Sequence, residues 1–361
     1  MMRTKKGAIG VALGAVVALA AAACSGGGSS ATPSASSAAP AATKGGTLYM
    51  VNLGPQEHWD PQRVYIGADI EFASRVMYRT LTTYTAGKDP KLVPDLATDL
   101  GTMSDGGKTW KFTLRDGVKW EDGQDIKCED VKYGLSRTFA QDVITGGPNY
   151  IINFLDVPAG ADGASVYKGP YTKEGQAEYD KAVTCEGKTI TLKFKTPWTD
   201  FNNATAGLLA YAPYRADKDK GEASDYAVFS SGPYKLEGTF DKDKGGKFVR
   251  NPNWDEKTDT VRKAYPDVIQ YDLGVQGDAI YERLLKDAGE DKNMVTQGSA
   301  PPAKLAQIAA DPNAAKRTVN PTSPYTDYIQ PNVKSAVFSN EKARQAFAMA
   351  TNKDAYITAL G

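Results

Sequence analysis

"LVPDLATDLGTMSDGGKTWKFTLRDGVKWEDGQDIKCEDVKYGLSRTF", Leu92 to Phe139, is the most strongly patterned stretch of the chain. Within it Trp110, Phe112 and Leu114 alternate with Lys111, Thr113 and Arg115, the period-two signature of a strand with one buried face. Val131, Gly134, Leu135, Thr138 and Phe139 then recur at helical spacing. Between these elements, Lys119 to Val131 packs five carboxylates and a cysteine into thirteen residues. A glycosidase needs two carboxyls held apart across a sugar-binding cleft. Here Asp116-Gly117 and Asp122-Gly123 are turn dipeptides, and Glu129 and Asp130 fall in a first helical turn, where negative charge suits the helix dipole. Each acid has a local structural use, so the segment reads as scaffold.

The flanks extend the pattern. "GGTLYMVNLG" from Gly45 predicts a first strand, and "ADIEFASRVMYRTLTTY" predicts a helix with Ile70, Ala73, Met77 and Leu81 on one face. Ile190, Leu192 and Phe194 mark another alternating strand, whereas Asp142 to Lys173 reads mostly as loop. "SGPYKLEGTFDKDKGGKFVRNPNW" predicts a hairpin around a charged Gly-Gly turn. From Ala279 the pattern becomes helical with short breaks. In "SNEKARQAFAMATNKDAYITALG", Asn340 is a candidate N-cap with Ala343, Ala346, Phe347 and Ala350 on one face, and Asn352 caps a second helix through Ile357 and Leu360. Strands and helices alternate without internal repeat, an α/β pattern.

The N-terminus places this body outside a membrane. Arg3, Lys5 and Lys6 precede an uncharged Ala/Val/Leu run ending in "AAAC", the three parts of a secretory signal. "AAAC" also resembles the lipobox of bacterial lipoproteins, with Ala21 where Leu is usual, which implies an acylated Cys24. Ser25 to Thr43 contains only Ser, Gly, Ala, Pro and Thr and reads as a flexible tether. In an exported chain the remaining cysteines, Cys128 and Cys185, are most simply one bridge, the alternative being two separate buried thiols. With 43 basic and 43 acidic residues, nothing in the charge points to nucleic acid.

Catalytic and metal motifs fail one by one. The chain has a single histidine, His58, read here as structural, and no G-x-S-x-G elbow, so triad chemistry and multi-imidazole metal sites are disfavoured. "GTMSDGGKT" is one residue too long for a phosphate loop and precedes a strand where a helix is needed. "DKDKGGKFVRNP" puts Gly245 and Pro252 at positions where a calcium loop needs ligands. Ser339-x-x-Lys342 lacks the partner motifs of penicillin-binding enzymes.

The opening stretch resembles the signature segment of the family 5 extracellular solute-binding proteins, the oligopeptide- and dipeptide-binding lipoproteins of ABC importers. Pro94, Leu96, Ala97, Asp105, Gly106, Lys108, Trp110, Phe112, Leu114, Arg115, Gly117, Val118, Lys119, Trp120, Asp122, Gly123, Asp130, Val131, Tyr133 and Arg137 match that run. "WDP" at Trp59–Pro61 is similar to the family's "LDP", and "SGPYKL … VRNPNW" and "ARQAFAMATNKDAY" resemble two later motifs in the right order. One departure is Lys127 at the helix start, where a side chain without an acceptor loses the usual N-cap. A Cys128–Cys185 bridge would compensate by pinning that helix to the strand near Thr189.

The resemblance implies an α/β, two-lobed periplasmic-binding-protein-like fold of the class II (cluster C) type with an extra inserted domain. The expected organisation is a lipoprotein signal peptide (1–23), a lipid-anchored tether (24–44), lobe I in two parts (45–84 and 201–270), inserted domain II (85–200) and an incomplete lobe II, domain III (271–361). The family's second lobe, which carries an acidic group for the peptide amino terminus, is mostly missing, so the chain reads as C-terminally truncated. The lobes are expected to close by a hinge on an extended peptide held through main-chain hydrogen bonds. Candidate ligand-facing residues are Trp59, Tyr65, Ile66, Gly67 and Tyr150, with Trp198 and Tyr325 as weaker ones. The implied partners are a peptide, permease subunits with cytoplasmic ATPases, and the membrane through the N-terminal lipid. The expected state is a monomeric, non-enzymatic binding protein on the extracytoplasmic face, without metal or cofactor. Rival readings are a binding lipoprotein for an oligosaccharide or metal chelate, a non-transport sensor or chaperone-like module, and a hydrolase.

Overall fold

The computed structural model describes residues 42–319 and 328–360. The signal segment, Cys24 and Tyr325 lie outside the described residues. The chain enters through β1 (Thr47–Val51) and α1 (Gly67–Val76), then forms a short antiparallel pair, β2 (Thr82–Tyr84) with β3 (Leu92–Pro94). β4 (Thr102–Ser104) and β5 (Thr109–Thr113) begin a second sheet. After α2 (Cys128–Arg137), α3 (Tyr150–Phe154) and α4 (Gln176–Ala182), β6 (Val183–Glu186) and β7 (Thr189–Lys193) complete it in the antiparallel order β4-β5-β7-β6. α5 (Phe201–Gly207) leads back to the first sheet, which gains β8 (Tyr234–Asp241), β9 (Gly245–Arg250) and β10 (Val268–Asp272). α6 (Gly277–Lys286) then carries the chain across to the two-residue β11 (Met294–Val295), giving the order β11-β1-β10-β9-β8. Among the described residues four helices follow: α7 (Pro302–Ala310), α8 (Pro312–Arg317), α9 (Glu341–Ala350) and α10 (Lys353–Leu360).

The alternation of β1 explains how its sheet is covered. Successive side chains on a strand point to opposite faces. Leu48 and Met50 pack with Trp59, Phe72, Phe248 and Tyr271, the cluster that α1 closes, while Tyr49 and Val51 pack with Ile280 of α6 and Met294. Helices therefore cover both faces, and β1 pairs in parallel with β10 on one side and β11 on the other. Parallel strands require a crossover connection, and α6 supplies it from β10 to β11, which lie on either side of β1.

The second sheet is covered on one face. Trp110 and Phe112 of β5 are buried and stacked at 5.7 Å, while Lys111 and Thr113 face water. Ile190 and Leu192 of β7, Val131 and Leu135 of α2, and Phe201 of α5 complete that core. Burial of each large apolar side chain contributes roughly 1.5–3 kcal/mol. A disulfide joins Cys128, the first residue of α2, to Cys185 in β6. Lys127 has no acceptor to offer at the N-cap, but Asp130 supplies the reciprocal half of a capping box, its carboxylate accepting from the Lys127 amide at 3.0 Å.

One expectation needs correction. The helix read through Met77 and Leu81 ends at Val76, although both residues are buried beyond it. The Met77 carbonyl accepts instead from the amides of Ser231 and Gly232, at 2.9 and 2.8 Å, so it is committed outside the helical ladder. Residues 270/271, the expected lobe boundary, fall inside β10, and β11 extends the first sheet by pairing with β1. The hairpin reading corresponds to β8 and β9, with Asp241 and Gly245 as the last pair before the turn. Asn340 caps α9, its side chain accepting from the Lys342 amide, and Asn352 accepts from the Ala355 amide at the start of α10.

Candidate ligand-binding site

The segment after β1 is anchored residue by residue before it turns outward. The Trp59 ring is fully buried against Phe72, Phe240 and Tyr271, at 5.5, 5.5 and 5.7 Å between ring centroids. The Asp60 carboxylate receives both terminal nitrogens of Arg137, and the Asp60 carbonyl accepts from the amides of Arg63 and Val64. Gln62 donates to the Ala212 carbonyl and Arg63 to the Val143 carbonyl. With the six residues from Trp59 to Val64 all buried, the next two, Tyr65 and Ile66, stand exposed at 37% and 45%. α1 starts immediately after them at Gly67.

A second loop meets this one. At Gly147 a Cβ would come 1.8 Å from the Gln62 carbonyl oxygen, so only glycine permits the two backbones to touch. Gly146 has φ +87° and lies against the His58 ring, where a Cβ would reach 2.9 Å from Nε2. These contacts set Tyr150, the first residue of α3, beside Tyr65, their hydroxyls 2.6 Å apart. The Tyr328 hydroxyl approaches Tyr65 from the later chain at 3.3 Å. The three tyrosines, with Gly146, Gly147 and Ile329, border an open cavity of about 580 Å³, within the range of small-molecule sites.

Several charged groups of the described residues lie around the site. His58 Nδ1 lies 2.7 Å from Asp225 Oδ2, and that bond raises the imidazole pKa while burial works the other way. Burial pushes the Asp69 carboxyl in the first turn of α1 up to about 6, with Gln56 offsetting part of the effect. Arg137 also binds Asp219, whose pKa burial would raise but which Arg137 and the Tyr171 hydroxyl hold below the usual carboxylate range. Tyr65 is held neutral to higher pH, chiefly by its bond to Tyr150.

Among the residues read from the sequence, Tyr65 and Tyr150 meet in this cavity, and Ile66 and Gly67 adjoin it in the chain. Trp59 does not border this cavity: it is enclosed by the core and fixes the loop that presents Tyr65. Trp198 is also a packing residue, its ring against Phe154, Phe194, Phe201 and Tyr211, and its carbonyl accepting from Trp110 Nε1. The sequence reading missed Tyr328, Ile329 and the Gly146-Gly147 pair. The Gly-Gly-Pro punctuation of "TGGPNY" was the only local signal for the latter.

Comparison with known proteins places these features in a family. The family model described as "Bacterial extracellular solute-binding proteins, family 5 Middle" matches residues 91–361. A dipeptide-binding protein of Escherichia coli (strain K12) is 24% identical over 338 residues, covering 89% of this chain and 57% of that protein. The solved structure of clavulanic acid biosynthesis oligopeptide binding protein 2 is similar with 32% identity and a TM-score of 0.65, covering 75% of this chain and 48% of that one. An ABC transporter-associated periplasmic binding protein DppA from Helicobacter pylori, in complex with peptide STSA, shares the fold at 19% identity and a TM-score of 0.60, over 88% of this chain and 59% of its own. The chain spans about half the length of the relatives it matches. The architecture is therefore the α/β, two-lobed type of periplasmic peptide-binding proteins.

Proposed function

The chain belongs to the bacterial extracellular solute-binding proteins, family 5, and we propose that it binds a peptide outside the cell membrane and delivers it to an ABC permease driven by cytoplasmic ATPases. The observation that carries this reading is the meeting of Tyr65 and Tyr150, from loops 85 residues apart, at the rim of an open cavity. Anchored loops with exposed aromatic faces suit a binder, which needs a preorganised surface and no nucleophile. The names of the relatives, dipeptide- and oligopeptide-binding proteins, support peptide as the solute.

The remaining parts of the proposal rest on the sequence. Residues 1–23 act as the export signal and Cys24 carries lipid, so that residues 24–44 tether a monomeric body to the extracytoplasmic face. Lobe I then comprises 45–84 and 201–270, extended through β11, and 85–200 form the inserted domain.

Thermal unfolding with and without ligand tests the reading. Alanine di-, tri- and pentapeptides are expected to raise Tm, by the equivalent of about 2.7 kcal/mol at a hundredfold excess over Kd. Stabilisation by maltotriose and by none of the peptides would replace peptide with oligosaccharide. Hydrolysis of any added peptide would overturn the binding-protein reading.

A further inference from the structure

We propose that the cavity ringed by Tyr65, Tyr150 and Tyr328 is a subsite for an uncharged, ring-bearing or apolar side chain of the ligand, and that it rejects ammonium and carboxylate side chains. This inference rests on the peptide-binding reading and concerns which peptides are taken.

Among the described residues the lining carries no Asp, Glu, Lys, Arg or His. Apart from the tyrosines, the polar side chains of the described lining are the neutral amides of Asn149 and Gln330. A lysine or glutamate side chain seated there leaves water without meeting an opposite charge, which is costly. The His58 ring that abuts Gly146 is already paired with Asp225.

What the lining does offer is ring surface. Tyr150, Tyr328 and Ile329 are 41%, 63% and 71% exposed, and Pro148 and Pro331 add two further apolar faces. Ring-to-ring contact adds to the gain from area burial, so an aromatic or prolyl side chain gains most here. The hydroxyls are joined in a row, Tyr150 to Tyr65 at 2.6 Å and Tyr65 to Tyr328 at 3.3 Å. Each phenol has one proton, so the row leaves donor and acceptor capacity at its ends for a neutral polar group of the ligand.

Calorimetric titration of the purified protein with trialanine peptides, in which Phe, Leu, Lys or Glu replaces each position in turn, tests the subsite. At one position Phe is expected to bind about tenfold more tightly than Lys or Glu. Gln330→Glu, at an exposed position, is expected to raise affinity for the Lys peptide about tenfold by supplying the missing counter-charge. Tyr150→Ala is expected to reduce the Phe preference to less than about threefold. Equal binding of all peptides, or tighter binding of Lys or Glu at every position, overturns the subsite while leaving peptide binding intact. Binding of no peptide at all overturns the peptide-binding reading and the subsite with it.

Discussion

The guanidinium of Arg137 grips the carboxylate of Asp60 through two hydrogen bonds, Nη1 to Oδ1 at 2.7 Å and Nη2 to Oδ2 at 2.6 Å, with both side chains wholly buried. The same guanidinium donates through Nε to Asp219 at 2.8 Å and lies 3.8 Å over the Tyr214 ring. One residue thus ties the loop carrying Tyr65 to α2 and to the segment around Asp219.

Removing that tie is expected to be severe. Arg137→Ala leaves the buried Asp219 carboxylate without its cation and Asp60 with only Arg63 at 3.7 Å, a change expected to cost about 3–5 kcal/mol. Arg137→Lys should recover little, because an ammonium cannot make the planar two-bond contact. Urea unfolding measures both, and a loss below about 1 kcal/mol for the alanine variant is incompatible with this role.

A second buried network predicts acid sensitivity. Arg79 Nε donates to Asp95 at 2.7 Å, and Arg262 contacts both Asp95 and Asp259. Burial alone would raise the Asp259 pKa, but Arg262 and Arg79 together hold it at about 2. Because the folded-state value lies below the unfolded one, its stabilisation is complete above about pH 4 and is lost as pH falls toward 2. The shift corresponds to about 2 kcal/mol. Denaturant melts between pH 5 and 2 should show a shallower acid loss in Asp259→Asn than in the parent.

His58 runs the opposite way. Its folded pKa lies above the ordinary value of 6.5, raised by the bond to Asp225 against the effect of burial. The pair therefore stabilises fully below pH 6.5, and the contribution is lost as pH rises through the folded value. The chain has one histidine, so a proton NMR titration reports it without overlap. A midpoint at or below 6.5, or one that does not fall in Asp225→Asn, would contradict this assignment.

The Cys128–Cys185 bridge closes a loop with a sequence separation of 57. Chain entropy assigns such a crosslink about 4 kcal/mol of stabilisation. Asp130 provides only half of the capping box at the helix start it pins, so α2 is expected to fray when the bridge is cut. Thiol titration in denaturant should find neither of these cysteines without reductant and both with it, and reductant should lower Tm in the parent but not in Cys128→Ala/Cys185→Ala.

Period and punctuation carried the local structure. The alternation of Trp110 and Phe112 became β5, the charged stretch became the β8–β9 hairpin with its turn at 242–244 and Gly245-Gly246 opening β9 rather than forming the turn, and Asn340 became the cap of α9. These outcomes depend on neighbours a few residues away, so a single sequence determines them. The family fingerprint was legible for the same reason, since its residues serve turns, a strand face and a helix start.

The division of labour among aromatic residues was decided only by the tertiary structure. Trp59 and Tyr65 lie six positions apart in one loop, yet one is sealed in the core and the other reaches a cavity. Which of them faces outward depends on Phe240 and Tyr271 arriving over Trp59, and on Gly147 passing against Gln62 to bring Tyr150 beside Tyr65. Tyr328 joins Tyr65 across 263 residues, and Arg137 finds Asp60 across 77. Local propensity sets which way a side chain alternates, but burial is set by what packs against it, and those partners are distant in the chain.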